Sequence, residues 1–103
     1  MKKIGPLSVD IVVACQIYKL QEGDNQVDFR ELSESLKGKV SKTTILSALS
    51  TLSDWGIIST EFGVTKAGRA GRLYSVSGEA ESIIKETCDR FWDKVMAANG
   101  EEL

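Results

Sequence analysis

Residues 29–77 constrain the fold of this chain more than any other segment, because helical and strand patterns follow one another there with only tight turns between them. Apolar residues first recur at three- and four-residue spacing, which is typical of two short helices. Gly56 then ends the second helical pattern, and Ile57–Phe62 and Arg72–Ser77 have strand character. The predicted order is helix, turn, helix and β-hairpin. Its core pattern is Leu32, Leu36, Val40, Ser41, Ile45, Leu49, Leu52, Gly56, Ile57 and Ile58.

Helix starts are indicated by small polar residues that cap the first turn. Ser8 precedes a first helix predicted over residues 8–22. Asp28 caps a short second helix predicted over residues 28–36, and Ser41 caps a third. These caps fix where each helix begins before any tertiary contact is considered.

The third predicted helix has one apolar face and one face rich in serine and threonine. These hydroxyl residues are moderate helix formers, so something other than helix propensity favours them there. Small hydroxyl side chains let a helix approach another surface closely and can hydrogen-bond to phosphates or bases. The inner face is predicted to be Ile45, Ala48, Leu49, Leu52 and Trp55, with Lys42, Thr43, Ser47, Ser50, Thr51 and Asp54 opposite.

Basic residues are concentrated in the middle of a chain whose formal net charge is −2. Residues 37–72 hold six basic and two acidic residues, residues 1–36 hold four and six, and residues 73–103 hold three and seven. Such asymmetry indicates a surface that faces a polyanion, and the alternative is a chance cluster on a solvated face. The six basic residues are Lys37, Lys39, Lys42, Lys66, Arg69 and Arg72.

The sequence offers little for catalysis, metal binding or membrane insertion. It has no histidine, and its two cysteines, Cys15 and Cys88, do not form a Cys-x-x-Cys motif. We therefore expect no enzyme activity, no metal and no cofactor, and two reduced core thiols, with a redox sensor as the alternative. The longest apolar run, Ile11–Cys15, is too short to cross a bilayer, so we expect no membrane contact and a cytoplasmic location.

A family resemblance is carried by five segments: Phe29–Leu36, Val40–Ile45, Leu49–Leu52, Trp55–Ile58 and Gly68–Ser77. Together they resemble the winged helix-turn-helix DNA-binding family, in its MarR-like and ArsR-like branch of small prokaryotic regulators. The resemblance covers roughly residues 8–78. It implies a mostly helical α+β fold, with a three-helix core, a two-stranded β-wing and a long C-terminal helix. We expect a DNA-binding domain over residues 1–78 and a C-terminal helix over 79–103, within one compact domain.

The resemblance also implies how the chain meets double-stranded DNA. The third helix would lie in the major groove, and the wing would touch the neighbouring minor groove or its phosphates. A transcriptional regulator is therefore expected. Lys42, Thr43 and Ser47 would face base edges, Ser41 and Thr44 would lie near phosphates, Lys39 would lie close to the backbone, and Lys66, Arg69 and Arg72 would supply the charge of the wing.

Two departures from the family pattern bear on how DNA is read. The turn Lys37–Lys39 is longer than the shortest form in the family, and the third helix has no arginine, the side chain that most often reads guanine. The cations Lys39, Lys42, Lys66, Arg69 and Arg72 would neutralise about four phosphates per chain. For a dimer, the logarithm of the DNA-binding constant would then fall with the logarithm of the salt concentration with a slope of about −7, which we call the salt slope. The alternative function is a winged-helix module that binds a protein instead of DNA.

The last predicted helix, residues 78–98, carries an apolar stripe that continues to its end before Asn99–Gly100. A core of about 70 residues is expected to leave the end of this stripe exposed, and exposed stripes mark interfaces. The sequence therefore predicts a homodimer, with folding back onto its own core as the alternative. A small-molecule effector between the first and last helices is plausible in this family. The predicted interface is Ile83, Ile84, Thr87, Phe91, Trp92, Val95 and Met96.

Overall fold

A computed structural model describes residues 2–21 and 25–98 of the chain. The predicted end of the first helix at residue 22 and the predicted Asn99–Gly100 stop after the last helix lie outside these residues. The described part forms four helices and five strands in a mostly helical α+β arrangement. Their bounds are β1 Lys3–Ile4, β2 Leu7–Ser8, α1 Val9–Leu20, β3 Val27–Asp28, α2 Phe29–Ser35, α3 Lys42–Asp54, β4 Ile58–Val64, β5 Ala70–Val76 and α4 Glu81–Ala97.

The three predicted N-caps are confirmed, because each side chain accepts a hydrogen bond from a backbone N–H of the first turn. Ser8 accepts from the amide of residue 11 at 3.4 Å, and Asp28 accepts from that of Glu31 at 2.8 Å. Ser41 accepts from that of residue 44 at 3.2 Å. Gly56 follows α3 with a φ of 75°, the left-handed conformation in which glycine ends helices at little cost.

The sheet has the strand order β3–β5–β4, and all its pairs are antiparallel. The β4–β5 hairpin was predicted, and it extends two residues further toward its tip on each strand than expected. The pairing of Val27 with Tyr74 adds a short third strand that the sequence did not predict. A second small hairpin, β1–β2, lies before α1 and was also not predicted. The three missed strands, β1, β2 and β3, are each two residues long, which is too short to show periodicity.

The core surrounds α1, which contacts both α3 and α4. Ile45, Ala48, Leu49 and Leu52 of α3 are buried as predicted. The prediction for Trp55 was wrong, because its side chain is 62% exposed. This residue follows the last helical position of α3, at the point where the chain turns away toward β4, so the buried stripe ends one turn earlier.

The apolar stripe of α4 is covered in part by the N-terminus of the same chain. Ile84 and Val95 are 3% and 0% exposed, so these two residues belong to the chain's own core and not to the surface predicted for the dimer. Gly5, with a φ of 59°, lies against α4, and a Cβ there would be 3.0 Å from the carbonyl oxygen of Lys94. The β1–β2 hairpin therefore closes the end of the core that was expected to stay open.

None of the helices among residues 2–21 and 25–98 combines the length and apolar character needed to cross a membrane.

Candidate nucleic-acid interface

The outward face of α3 presents Lys42, Thr43 and Ser47 to solvent, as predicted for base-reading positions. Ser41 and Thr44, predicted near phosphates, hold the start of the helix. The Ser41 hydroxyl accepts from the Thr44 amide at 3.2 Å, and it also donates to the Thr44 side chain at 2.9 Å. These two hydroxyls therefore orient the first turn, and the exposed side chains behind them form the candidate reading face.

A shallow groove of about 370 Å³ lies beside this face, between the N-terminal segment and α3. Lys2, Asp10 and Thr43 line it, together with Thr44 and Ser47. Lys2 thus places a cation beside the reading face, which the sequence did not indicate because nothing in the local pattern joins residue 2 to residue 43. Asp10 is an opposing charge at the same groove.

The wing consists of β4, β5 and the turn between them. The turn is closed by hydrogen bonds from the Thr65 amide to the Arg69 carbonyl at 2.8 Å and from the Gly68 amide to the Thr65 carbonyl at 2.9 Å. Arg69 is exposed in this turn. The guanidinium of Arg72 lies 5.6 Å from the centre of the Phe62 ring, within reach of a cation–π contact. The wing thus presents two arginines, one of them held by an exposed aromatic ring.

Lys66, predicted to contact DNA, is instead used to attach the wing to α2. Its Nζ forms an ion pair with Glu31, and its backbone amide donates to Asp28 at 3.3 Å. Asp28 is buried, and its other carboxylate oxygen caps α2. An open cleft of about 800 Å³ separates α2 from the wing around these contacts. The ion pair sets the wing against α2 and takes up part of the charge of Lys66.

Lys39, predicted near the DNA backbone, contacts the end of α4. Its Nζ donates to the carbonyl oxygens of Met96 at 3.1 Å and Ala98 at 2.6 Å. These carbonyls lie at the C-terminus of α4, where a cation is favoured by the helix dipole. Lys39 therefore joins the turn before α3 to the end of α4, a pairing across 57 and 59 residues that no local pattern could indicate.

A second groove, of about 320 Å³, lies between α3 and the wing. Ser53 and Thr60 hydrogen-bond across it at 3.1 Å. Arg72 and Tyr74 line the wing side, and burial raises the pKa of Tyr74 while the charge of Arg72 opposes that rise. Leu46 lines the α3 side and is 54% exposed. The helical pattern in the sequence did not assign Leu46 to either face of α3.

The remaining residues predicted for the dimer interface are divided on α4. Ile83 and Met96 are 68% and 41% exposed, whereas Phe91 and Trp92 are half-buried, as is Thr87. The ring of Trp92 lies 5.5 Å from the ammonium of Lys19, so part of it is covered within the chain. The apolar surface that α4 offers to a partner is thus smaller than the sequence indicated.

A shallow pocket of about 350 Å³ lies between α1 and the start of α4, close to where an effector was expected. Tyr18, Lys19, Gln21 and Glu81 line it. The side-chain oxygen of Gln21 already accepts a hydrogen bond from the Val76 amide at 2.9 Å. The pocket is therefore polar and partly occupied by the chain's own contacts.

The two cysteines meet between α1 and α4, both buried, with the Cys88 thiol 3.8 Å from the Cys15 carbonyl oxygen. Burial, together with the neighbouring Cys88, raises the pKa of the Cys15 thiol to about 12. Burial also raises the pKa of Cys88. Since the thiolate is the reactive form, these shifts favour the inert core thiols over the redox sensor. No group of three potential metal ligands occurs within the described ranges.

No protein-family model and no curated protein matches this sequence. Solved structures do match its fold. A mutant of Lactococcus lactis ZitR superposes with a TM-score of 0.65 at 18% identity, covering 87% of this chain. This chain spans 56% of the length of that ZitR chain.

Two further matches are a PadR-like transcriptional regulator and a PadR structure that contains operator DNA. A PadR-like regulator from Bacillus cereus gives a TM-score of 0.63 at 17% identity, covering 81% of this chain and 82% of its own. Bacillus subtilis PadR in complex with operator DNA gives a TM-score of 0.59 at 14% identity, and the match covers 77% of this chain and 49% of the PadR chain. The chain therefore has the winged helix-turn-helix fold. PadR-like regulators are a different branch of that fold from the MarR and ArsR branch that the sequence resembles.

Proposed function

We propose that this protein is a transcriptional regulator that binds double-stranded DNA as a homodimer, with α3 in the major groove and the wing beside the minor groove. The observation that carries the proposal is the exposed polar face of α3, with Lys42, Thr43 and Ser47, in the same fold unit as the wing arginines Arg69 and Arg72. The fold match to a PadR structure that contains operator DNA supports the same assignment.

The shape and chemistry of the face suit a duplex. An α-helix fits the major groove of B-DNA, and small hydroxyls allow close approach while donating to bases or phosphates. Lys42, at the first turn of α3, provides the positive charge that favours phosphates near a helix N-terminus. Without an arginine on α3, sequence readout depends on Lys42, on hydroxyl contacts and on the shape of the DNA.

The number of cations available to DNA is smaller than the sequence suggested. Lys39 donates to α4 carbonyls and Lys66 is paired with Glu31, which leaves Lys42, Arg69 and Arg72 as the main phosphate contacts. Three contacts per chain give about six per dimer, so we expect a salt slope of about −5 instead of the steeper value that the sequence predicted. A slope this steep still requires that binding be dominated by backbone charge.

Dimerisation is proposed through the part of the α4 stripe that stays accessible, the exposed Ile83 and Met96 and the half-buried Thr87 and Phe91. A single module of this size buries little surface on DNA, and a two-fold dimer on paired half-sites doubles the contact area. Ile84 and Val95 support α4 from inside the chain and have no direct part in this interface.

The proposal is tested by selecting bound duplexes from a random pool and measuring their affinity by fluorescence anisotropy near 100 mM salt. The variant Lys42→Ala/Arg69→Ala should weaken binding across all sequences and reduce the salt slope by about 2 per chain that contacts DNA. The control Lys85→Ala/Arg90→Ala also removes one lysine and one arginine, but from α4, and it should leave the salt slope unchanged. A palindromic enriched site would support the two-fold assembly, whereas a wild-type slope between 0 and −1 would contradict groove binding.

A second candidate, a winged-helix module that binds a protein, is favoured by the wing itself. Phe62 and Val64 are 80% and 72% exposed, which is unusual for large apolar side chains on a surface meant only for phosphates. Unchanged DNA affinity in the Lys42→Ala/Arg69→Ala variant would favour this candidate.

A further inference from the structure

Leu46 is a large apolar side chain among the polar residues of the outward face of α3. Residues three and four positions apart are neighbours on a helix surface, which places Lys42, Thr43 and Ser50 around it. All three are exposed, and Leu46 itself is 54% exposed. The leucines of the inner face differ sharply, since Leu49 is 3% and Leu52 is 0% exposed.

Leu46 lies beside the wing and is not part of the core. It forms the α3 side of the groove whose other side is Arg72 and Tyr74 of the wing. Lys42 lies one helical turn before it, and Arg72 lies across the groove. An exposed apolar group is thus flanked by cations on two sides, which suits a partner that combines negative charge with a small apolar group.

Double-stranded DNA offers that combination in its major groove. The 5-methyl group of thymine is the apolar group displayed there, and apolar side chains distinguish thymine from cytosine by contact with it. We propose that Leu46 is a specificity-determining residue that contacts thymine methyl groups, so that this protein selects sites with thymine opposite α3. The inference rests on the proposed function and assigns part of the readout that an arginine supplies in other recognition helices.

An apolar side chain of a partner protein is the competing occupant of this groove. The hydroxyls of Ser50, Ser53 and Thr60 line the same groove, and Arg72 and Asp54 add one charge of each sign. A lining of hydroxyl and charged groups matches the polar surface of a nucleic acid better than an apolar protein segment. Removing thymine methyl groups from the DNA separates the two occupants.

The test compares a duplex selected by the wild-type protein with the same duplex in which deoxyuridine replaces every thymidine, a change that removes only the methyl groups. Wild-type affinity should fall about fourfold for each methyl group contacted. Leu46→Ala should bind the thymine duplex at least about fourfold more weakly than wild type and should bind both duplexes equally. Leu46→Met, which keeps an apolar side chain, should retain the preference for thymine.

Each outcome decides the assignment. Because Leu46 is exposed, Leu46→Ala should melt within a few degrees of wild type by circular dichroism, so a missing preference reports the contact and not unfolding. Equal binding of both duplexes by wild type would overturn the role of Leu46 while leaving DNA binding intact. An unchanged affinity in Leu46→Ala would also overturn it and favour a protein occupant. Failure of the wild-type protein to select any duplex from the random pool would overturn the proposed function itself.

Discussion

The helices α3 and α4 are both amphipathic, yet the same kind of sequence pattern led to different outcomes in them. On α3 four of the five predicted inner residues, Ile45, Ala48, Leu49 and Leu52, are buried, with the hydroxyl face outward. On α4 the predicted stripe is split between the chain's own core and its surface. Both helices pack on α1, so the difference lies in the other segments of the chain that cover α4.

The cover of α4 comes from distant parts of the chain. The β1–β2 hairpin lies against Lys94 through Gly5, and Lys39 donates to the carbonyls that end the helix. Periodicity shows which face of a helix is apolar, but it does not show whether that face is buried within the chain or against another molecule. Variants on the two faces of α4, and at the starts and ends of α3 and α4, test these differences in burial and contact.

The largest effect is expected from Val95→Ala, which should lower the free energy of unfolding by about 2 kcal/mol because it leaves a cavity in the core. Ile83→Ala, on the exposed face of the same helix, should change it by less than about 0.5 kcal/mol at protein concentrations low enough for the chain to be monomeric. Urea denaturation followed by tryptophan fluorescence measures both at equal protein concentration. The reverse ranking would show that α4 buries its other face.

A smaller effect should separate Lys39 from Lys42. Lys39→Met removes the hydrogen bonds to the end of α4 and should lower the free energy of unfolding by about 1 kcal/mol, with the salt slope of DNA binding unchanged. Lys42→Met should reduce the magnitude of that slope by about 1 for each phosphate that the ammonium no longer neutralises. The same variant should change the free energy of unfolding by less than about 0.5 kcal/mol. Denaturation and anisotropy titrations against salt measure the two quantities. A reduced salt slope in Lys39→Met would show that Lys39 contacts DNA phosphates.

The smallest effect concerns the contact between α1 and α4 at the cysteines. The pKa of Cys15 is raised from 9.0 to about 12, so between these values the unfolded chain loses a proton that the folded chain keeps. Stability is therefore complete below about pH 9 and falls as the pH rises toward 12. Between about pH 8 and about pH 9.5, wild type should lose up to about 1 kcal/mol more stability than Cys15→Ala, as measured by denaturation at both pH values. Equal pH dependence of the two proteins would contradict the buried, protonated thiol.

Much of the fold was predictable because it is encoded locally. Ser8, Asp28 and Ser41 begin helices through hydrogen bonds three residues away, and Gly56 ends one through its own backbone freedom. The candidate reading face on α3 follows from the same helix periodicity. Trp55 shows the limit of that reasoning, since its place in the periodic stripe did not bury it once the helix had ended.

The sequence by itself determined the helix starts, the order of elements and the polar face of α3, because these depend on interactions within one or two helical turns. Only the tertiary structure decided the partners of Lys39 and Lys66, the burial of Val95 and the exposure of Leu46 beside the wing. Those outcomes depend on contacts between elements far apart in the chain. A side chain's charge or hydrophobicity limits which partners suit it, but packing in three dimensions decides which of them it meets.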